Sequence, residues 1–177
     1  MSRYIFLDID GVLATNGTYA RWYAAGGGPM DALLDRPRVA RLDAFAREWS
    51  AGIVLSTAWR FLSPPVAGRL QAAGLTAPIV GETPRLGRGP CSPGRRGHEI
   101  SRYMLDHGIA PGSVIIFDDD ETAGDALPGA PRQSHRWVRT EMVHGLTARH
   151  LRRAEALFMR TAAAEADGGG EAGGARL

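Results

Sequence analysis

The sequence predicts an α/β protein built on a mostly parallel sheet covered on both faces. Three observations predict it. Four apolar runs are short, β-rich and unalternating; stretches of helical spacing fall between them; and three of the runs end directly in acids or hydroxyls. In sheets of this kind ligands sit beyond the carboxyl ends of the strands.

Taken in order, Tyr4 to Leu7, Ile53 to Leu55, Pro78 to Val80 and Val114 to Phe117 read as buried strands, with a fifth near Trp137 and Val138. Between them, Val39, Leu42, Phe45, Ala46 and Trp49 form one apolar stripe that Gly52 is expected to close. Val66, Leu70 and Ala73 form a second, closed by Gly74, and Ile100, Tyr103, Met104 and His107 a third, closed by Gly108. A last helix is expected from Thr147 to about Met159. Residues Ala14 to Asp35, with Gly26-Gly27-Gly28-Pro29, read as a flap or hairpin beside the first strand end. Ala162 to Leu177 has almost nothing to bury and reads as a disordered tail after a single domain of residues 1–161.

With 177 residues, 44% hydrophobic and 23% charged, the chain suits one globular domain with one core. No apolar run approaches the roughly 20 residues of a membrane span, and the start lacks the cationic and apolar regions of a signal peptide, so a cytoplasmic protein is expected. The single Cys91 cannot form an internal disulfide and reads as a loop thiol. The five histidines fall at no zinc spacing and read as surface or packing residues. All 21 basic residues are arginine, a pattern that GC-rich coding also produces, so their abundance says little about nucleic acid. Their placement says more. Arg60 to Arg102 holds seven Arg against Glu82 and Glu99, Arg132 to Arg160 seven against Glu141 and Glu155, and Asp118 to Asp125 between them holds five acids and no base. An acidic knot between basic stretches suits a cation beside a phosphate; solvated arginine faces are the plain alternative.

Phe6-Leu7-Asp8-Ile9-Asp10-Gly11 carries the most information. A strand ending in two carboxylates and then a glycine puts both acids at the active edge of the sheet, where they repel unless a cation intervenes. Hard oxygens of this kind select Mg2+. Ile53-Val54-Leu55 ends in Ser56-Thr57, whose hydroxyls and following amides can hold a phosphoryl oxygen. Val114 to Phe117 ends in Asp118-Asp119-Asp120, a second source of metal ligands. Arg95-Arg96-Gly97 opens the helix through Ile100, placing a guanidinium where a helix start already favours anions. Asp8 and Asp10 alone would also fit a response-regulator receiver. Trp59 reads as core, and Arg60 as either a packed residue or a substrate contact.

This ordered series resembles the haloacid dehalogenase superfamily of phosphatases, whose fold is a three-layer Rossmannoid sandwich. The resemblance implies Asp8 as nucleophile, Asp10 as general acid and base, Ser56 with Thr57 as phosphate-binding hydroxyls, and Arg96 as the basic residue of the third motif. It implies Mg2+ held by Asp8, Asp10, Asp118 and Asp119. Ser56-Thr57-Ala58-Trp59-Arg60, Arg96-Gly97-His98-Glu99-Ile100, Asp118-Asp119-Asp120, and Thr140 followed by Gly145-Leu146-Thr147 look like the small branch associated with Swiss army knife RNA-repair proteins. Neither inter-motif gap has room for a cap domain, so the site is expected to be capless or to carry only a minimal flap. Arg60, Arg85, Arg88, Arg95, Arg132 and Arg136 are then candidates for its rim, with Arg60 and Arg95 as possible substrate contacts. The implied activity is a phosphomonoester hydrolase, with nucleotides or nucleic-acid phosphate ends as partners and no membrane. A small-metabolite phosphatase, a phosphate-sensing module and a nucleic-acid-binding repair subunit are the alternatives.

Overall fold

The computed structural model describes residues 2–87 and 95–168, with side chains through residue 163. Arg88, Cys91 and the end of the tail lie outside the described residues. Five strands, β1 (Arg3–Leu7), β2 (Ala51–Leu55), β3 (Ile79–Glu82), β4 (Val114–Asp118) and β5 (Trp137–Arg139), form one all-parallel sheet in the order β3-β2-β1-β4-β5. The helices are α1 (Asn16–Ala24), α2 (Arg36–Glu48), α3 (Val66–Ala72), α4 (Arg96–Asp106) and α5 (Ala148–Gly168).

Side chains alternate across the sheet, so each strand feeds two cores. Ile5, Leu7, Ile53, Leu55, Ile115 and Phe117 share the large core with Val39, Leu42 and Phe45 of α2, Leu70 of α3 and Phe158 of α5. There the Phe45 ring lies parallel to Phe158 at 6.1 Å and edge-on to Phe117 at 6.2 Å. Phe6, Val54, Val114 and Ile116 face the other way, onto Ile100, Tyr103 and Met104 of α4. This is the expected three-layer α/β sandwich.

The register positions the site. Leu7 lies beside Leu55 of β2 and Phe117 of β4, so the next residues, Asp8, Ser56 and Asp118, emerge in a row at one edge. Strands about 4.8 Å apart put Ser56 and Asp118 on opposite flanks of Asp8. Asp118 in turn pairs with Arg139, which brings Thr140 to the same edge.

Three expectations change. Gly52 does not close α2; Trp49 caps it and Ser50 takes the left-handed turn at φ 49°, leaving Gly52 inside β2. The 14–35 segment is a helix, α1, and a 3-10 turn (Met30–Leu33), not a hairpin. Here Thr15 and Thr18 make a reciprocal capping pair: Thr15 N donates to the Thr18 hydroxyl, which donates to Thr15 O, both at 2.8 Å. Finally, α5 continues past Ala162 to Gly168, because Ala162-Ala163-Ala164-Glu165-Ala166 favours helix even with little to bury. Among the described residues neither inter-motif gap contains a separate folded unit, and no helix is long and apolar enough to cross a membrane.

Candidate active site

Asp8 is buried at the tip of β1. Its Oδ1 accepts from Ile9 N at 2.7 Å, and its Oδ2 faces Arg96 Nη2 at 3.6 Å. Asp118, fully buried at the tip of β4, accepts from Asp120 N through Oδ1 at 2.9 Å, while its Oδ2 lies 3.2 Å from Arg96 Nε. That approach is an ion pair without hydrogen-bond alignment, and both atoms are left without a hydrogen-bond partner. Asp119 joins them: carboxylate oxygens of Asp8, Asp118 and Asp119 lie within 4.8 Å of one another. Gly11 permits this approach, because its φ is +68° and a Cβ there would fall 2.3 Å from the Asp119 carboxylate.

The cluster is short of positive charge. Burial pushes the Asp8 carboxyl up to about 6, with Arg96, the Thr57 hydroxyl and Ile9 N pulling it down and Asp10 pushing it up. Burial and then the Asp8 charge hold Asp118 well above the usual carboxylate range, against Arg96. Burial also raises Asp119. Arg96 is itself held in its charged form by Asp8 and Asp118, which outweigh its burial. Three carboxylates against one guanidinium, with a buried oxygen of Asp118 unpartnered, fit a hard divalent cation held by Asp8, Asp118 and Asp119.

The geometry behind Arg96 starts at Gly97. A Cβ there would lie 2.2 Å from Asp125 O and 2.4 Å from Thr122 O, so only glycine lets the 118–125 loop close on the start of α4. Gly97 N donates to Thr122 O, and Arg96 N to the Thr122 hydroxyl, both at 3.0 Å. The fully buried Gln133 then ties the loop down, donating to Gly97 O, Ala123 O and Asp125 O and accepting from Ser101 Oγ. Arg95 points away: it is exposed and pairs with Asp125 at 3.3 Å.

Of the four expected ligands, Asp8, Asp118 and Asp119 gather within 4.8 Å and Asp10 lies beside them, its charge acting on Asp8 and Asp119. The Asp10 Oδ1 accepts from the Tyr19 hydroxyl at 2.8 Å and its Oδ2 from Trp59 Nε1 at 2.9 Å, which orient its side chain. Trp59 is core, as expected, but it also orients a site residue. Tyr19 comes from α1 and is a site residue that spacing did not reveal. The Ser56 hydroxyl is fully buried with no partner, as a phosphate donor would be, although its amide is taken by Leu7 O at 2.8 Å. The Thr57 hydroxyl accepts from Trp59 N at 3.2 Å and lies where it helps pull the Asp8 carboxyl down.

Two of the expected rim arginines are interior. Arg60 is buried, donating to Glu99 and Thr57 O at 2.9 and 2.6 Å and to Thr83, so it does not face a substrate. Arg136 is buried against α5, donating to Leu157 O and to the Thr161 hydroxyl. In each case an apolar stem and distant acceptors draw the guanidinium inward.

A family model described as "HAD domain in Swiss Army Knife RNA repair proteins" matches residues 4–151. Comparison with curated proteins and with solved structures returned no match. The matched span runs from β1 into α5 and includes every strand tip and side chain assembled at this edge. The chain therefore belongs to the HAD domain family of the Swiss Army Knife RNA repair proteins.

Proposed function

We propose that the protein is a Mg2+-dependent phosphomonoesterase that works through an aspartyl-phosphate, with nucleotides or nucleic-acid phosphate ends as its substrates. The observation that carries this reading is the row of Asp8, Ser56 and Asp118 at one sheet edge, with Arg96 over it and an Asp10 carboxyl oriented separately beside it. Bound at Asp8, Asp118 and Asp119, Mg2+ would neutralise charge on the phosphate and lower the repulsion between it and the attacking carboxylate.

An Asp8 oxygen attacks phosphorus and the bond to the ester oxygen breaks. Asp10 gives its proton to that leaving oxygen; each of its oxygens accepts one hydrogen bond and keeps a lone pair to carry the proton. Water then attacks phosphorus, Asp10 takes the proton back, and the bond to Asp8 breaks to release phosphate. The Ser56 hydroxyl and Arg96 hold the phosphoryl oxygens as charge spreads over them.

The surroundings support a polyanionic substrate. Beyond β5, Arg139, Arg149 and Arg153 with Glu141 and His150 line a cavity of about 280 Å³, a net positive surface on the strand next to Asp118. A panel of nucleotides, phosphorylated oligonucleotides and sugar phosphates, assayed with Mg2+ and with excess EDTA, tests the proposal. Turnover only with Mg2+, with kcat/KM highest for nucleotides or oligonucleotides and the margin shrinking with salt, is expected. A sugar phosphate preferred tenfold or more would remove the substrate assignment, and full activity in EDTA would remove the mechanism.

A further inference from the structure

The 3-10 turn Ala58–Phe61 is fixed at its start to the catalytic edge, since Thr57, the residue after Ser56, caps it through Trp59 N and the Trp59 indole donates to Asp10 at 2.9 Å. Its last residue, Phe61, is 55% exposed. At about 2.0 Å of rise per residue the Phe61 backbone lies roughly 8 Å along the turn from Thr57, close to the length of a nucleoside. The Arg85 guanidinium sits over the Phe61 ring at 4.1 Å, and Leu86 beside it is also exposed.

Both halves of this surface are braced from beneath. The buried Arg60 donates to Thr57 O at the start of the turn, to Thr83 in the segment that follows β3, and to Glu99 of α4. Glu99 also accepts from Leu86 N at 3.3 Å, and Thr83 N donates to Leu55 O. One ion pair thus locks the residue before Phe61 and the residues flanking Arg85 to the same strand end. An exposed phenyl ring with a guanidinium over it, rigidly held at the carboxyl edge of the sheet, combines a sequence-tolerant stacking face with a cation for an adjacent phosphate.

We infer that Phe61, braced by Arg85, is the platform on which the base of the substrate's terminal nucleoside stacks while its phosphate lies at Asp8. Resting on the phosphatase reading, this adds what recognises the rest of the substrate: a nucleobase of any identity. It also gives Arg60 a positioning role in place of the contact expected of it.

The test uses the full chain carrying Asp8→Asn, which is expected to hold a terminal phosphate without turning it over. Short oligonucleotides phosphorylated at the 5′ end, and others at the 3′ end, are titrated in two forms, with the terminal base present or abasic. Tighter binding of the base-bearing form by about tenfold, at one end or the other and for purine and pyrimidine alike, is expected. Adding Phe61→Ala should bring the two forms within twofold, adding Phe61→Trp should restore the preference, and Arg85→Ala should cut it at least twofold. Equal binding of the two forms, or a preference that survives Phe61→Ala, overturns the platform and leaves the exposed ring to a protein partner. If the parent protein still hydrolyses phosphate esters in that case, the phosphatase reading stands without the platform. If it hydrolyses none while the base preference is present, the platform stands and the hydrolase reading falls.

Discussion

Two buried groups of carboxylates show opposite designs. Asp43 of α2 is saturated: it accepts from Thr76 N at 2.6 Å, Ala77 N at 2.7 Å, the Thr76 hydroxyl at 2.9 Å and Arg47 Nε at 2.9 Å. Burial opposes its charge, but these donors outweigh it and hold the carboxyl below its ordinary value. Asp8 and Asp118 share a single guanidinium, and their carboxyls are pushed up. The contrast separates a carboxylate that joins α2 to the approach of β3 from a pair left wanting a cation. A buried charge completed by the chain serves the fold, and one left incomplete marks where something else binds.

Removing the cation should have the largest effect at the incomplete cluster. In EDTA, phosphate-ester turnover is expected to vanish, and restoring Mg2+ should raise the melting temperature. Without metal the Asp8 carboxyl, raised to about 6, binds its proton more tightly in the folded state than in the unfolded chain. Stability of the metal-free protein should therefore rise as pH falls from 7 towards 5 and be lost again as pH climbs through about 6. Saturating Mg2+ should flatten that dependence. Thermal melts across this range, with and without Mg2+, check the sign.

Next in size is Asp10→Asn, expected to lower kcat by about 10²-fold or more with the fold intact, because the amide cannot deliver a proton. Arg96→Ala should reduce kcat/KM well beyond Arg95→Ala, since Arg96 alone of the two reaches Asp8 and Asp118. Equal losses in steady-state assays would show that long-range charge, not contact, is what matters. The smallest effect on catalysis belongs to the saturated region. Asp43→Asn should leave kcat/KM unchanged and cost about 1–3 kcal/mol of stability, read by urea unfolding, by replacing the Oδ2 that accepts from Arg47 and the Thr76 hydroxyl with an amide nitrogen that cannot accept. Asp43 has its pKa lowered, so its contribution is present above the usual carboxylate range and lost in acid, opposite in sign to Asp8.

The strands, their parallel arrangement and the row of Asp8, Ser56 and Asp118 were legible in the sequence because each is a local pattern: an apolar run followed directly by a chemical group. Arg96 over Arg95 was legible from the resemblance carried by Arg96-Gly97-His98-Glu99-Ile100. What could not be read depends on long-range closure. Tyr19 reaches Asp10 only because α1 folds back over the strand end. Gln133 organises a loop whose partners lie up to 36 residues away. Arg60 was taken inward by Glu99, 39 residues on. Trp59 was rightly assigned to the core, yet its indole N–H, a single donor at its buried edge, serves Asp10. An aromatic two residues after the Ser56-Thr57 hydroxyl pair was the one available hint.

The central claim, that the incomplete cluster exists so that Asp8 can accept a phosphoryl group, is tested most directly by acid-quenching turnover and weighing the peptides. The account predicts the added mass of one phosphoryl group on the peptide that contains Asp8, present with Mg2+, absent in EDTA and absent in Asp8→Asn. Turnover at the parent rate in folded Asp8→Asn, or a phosphoryl group on any other residue, would contradict it.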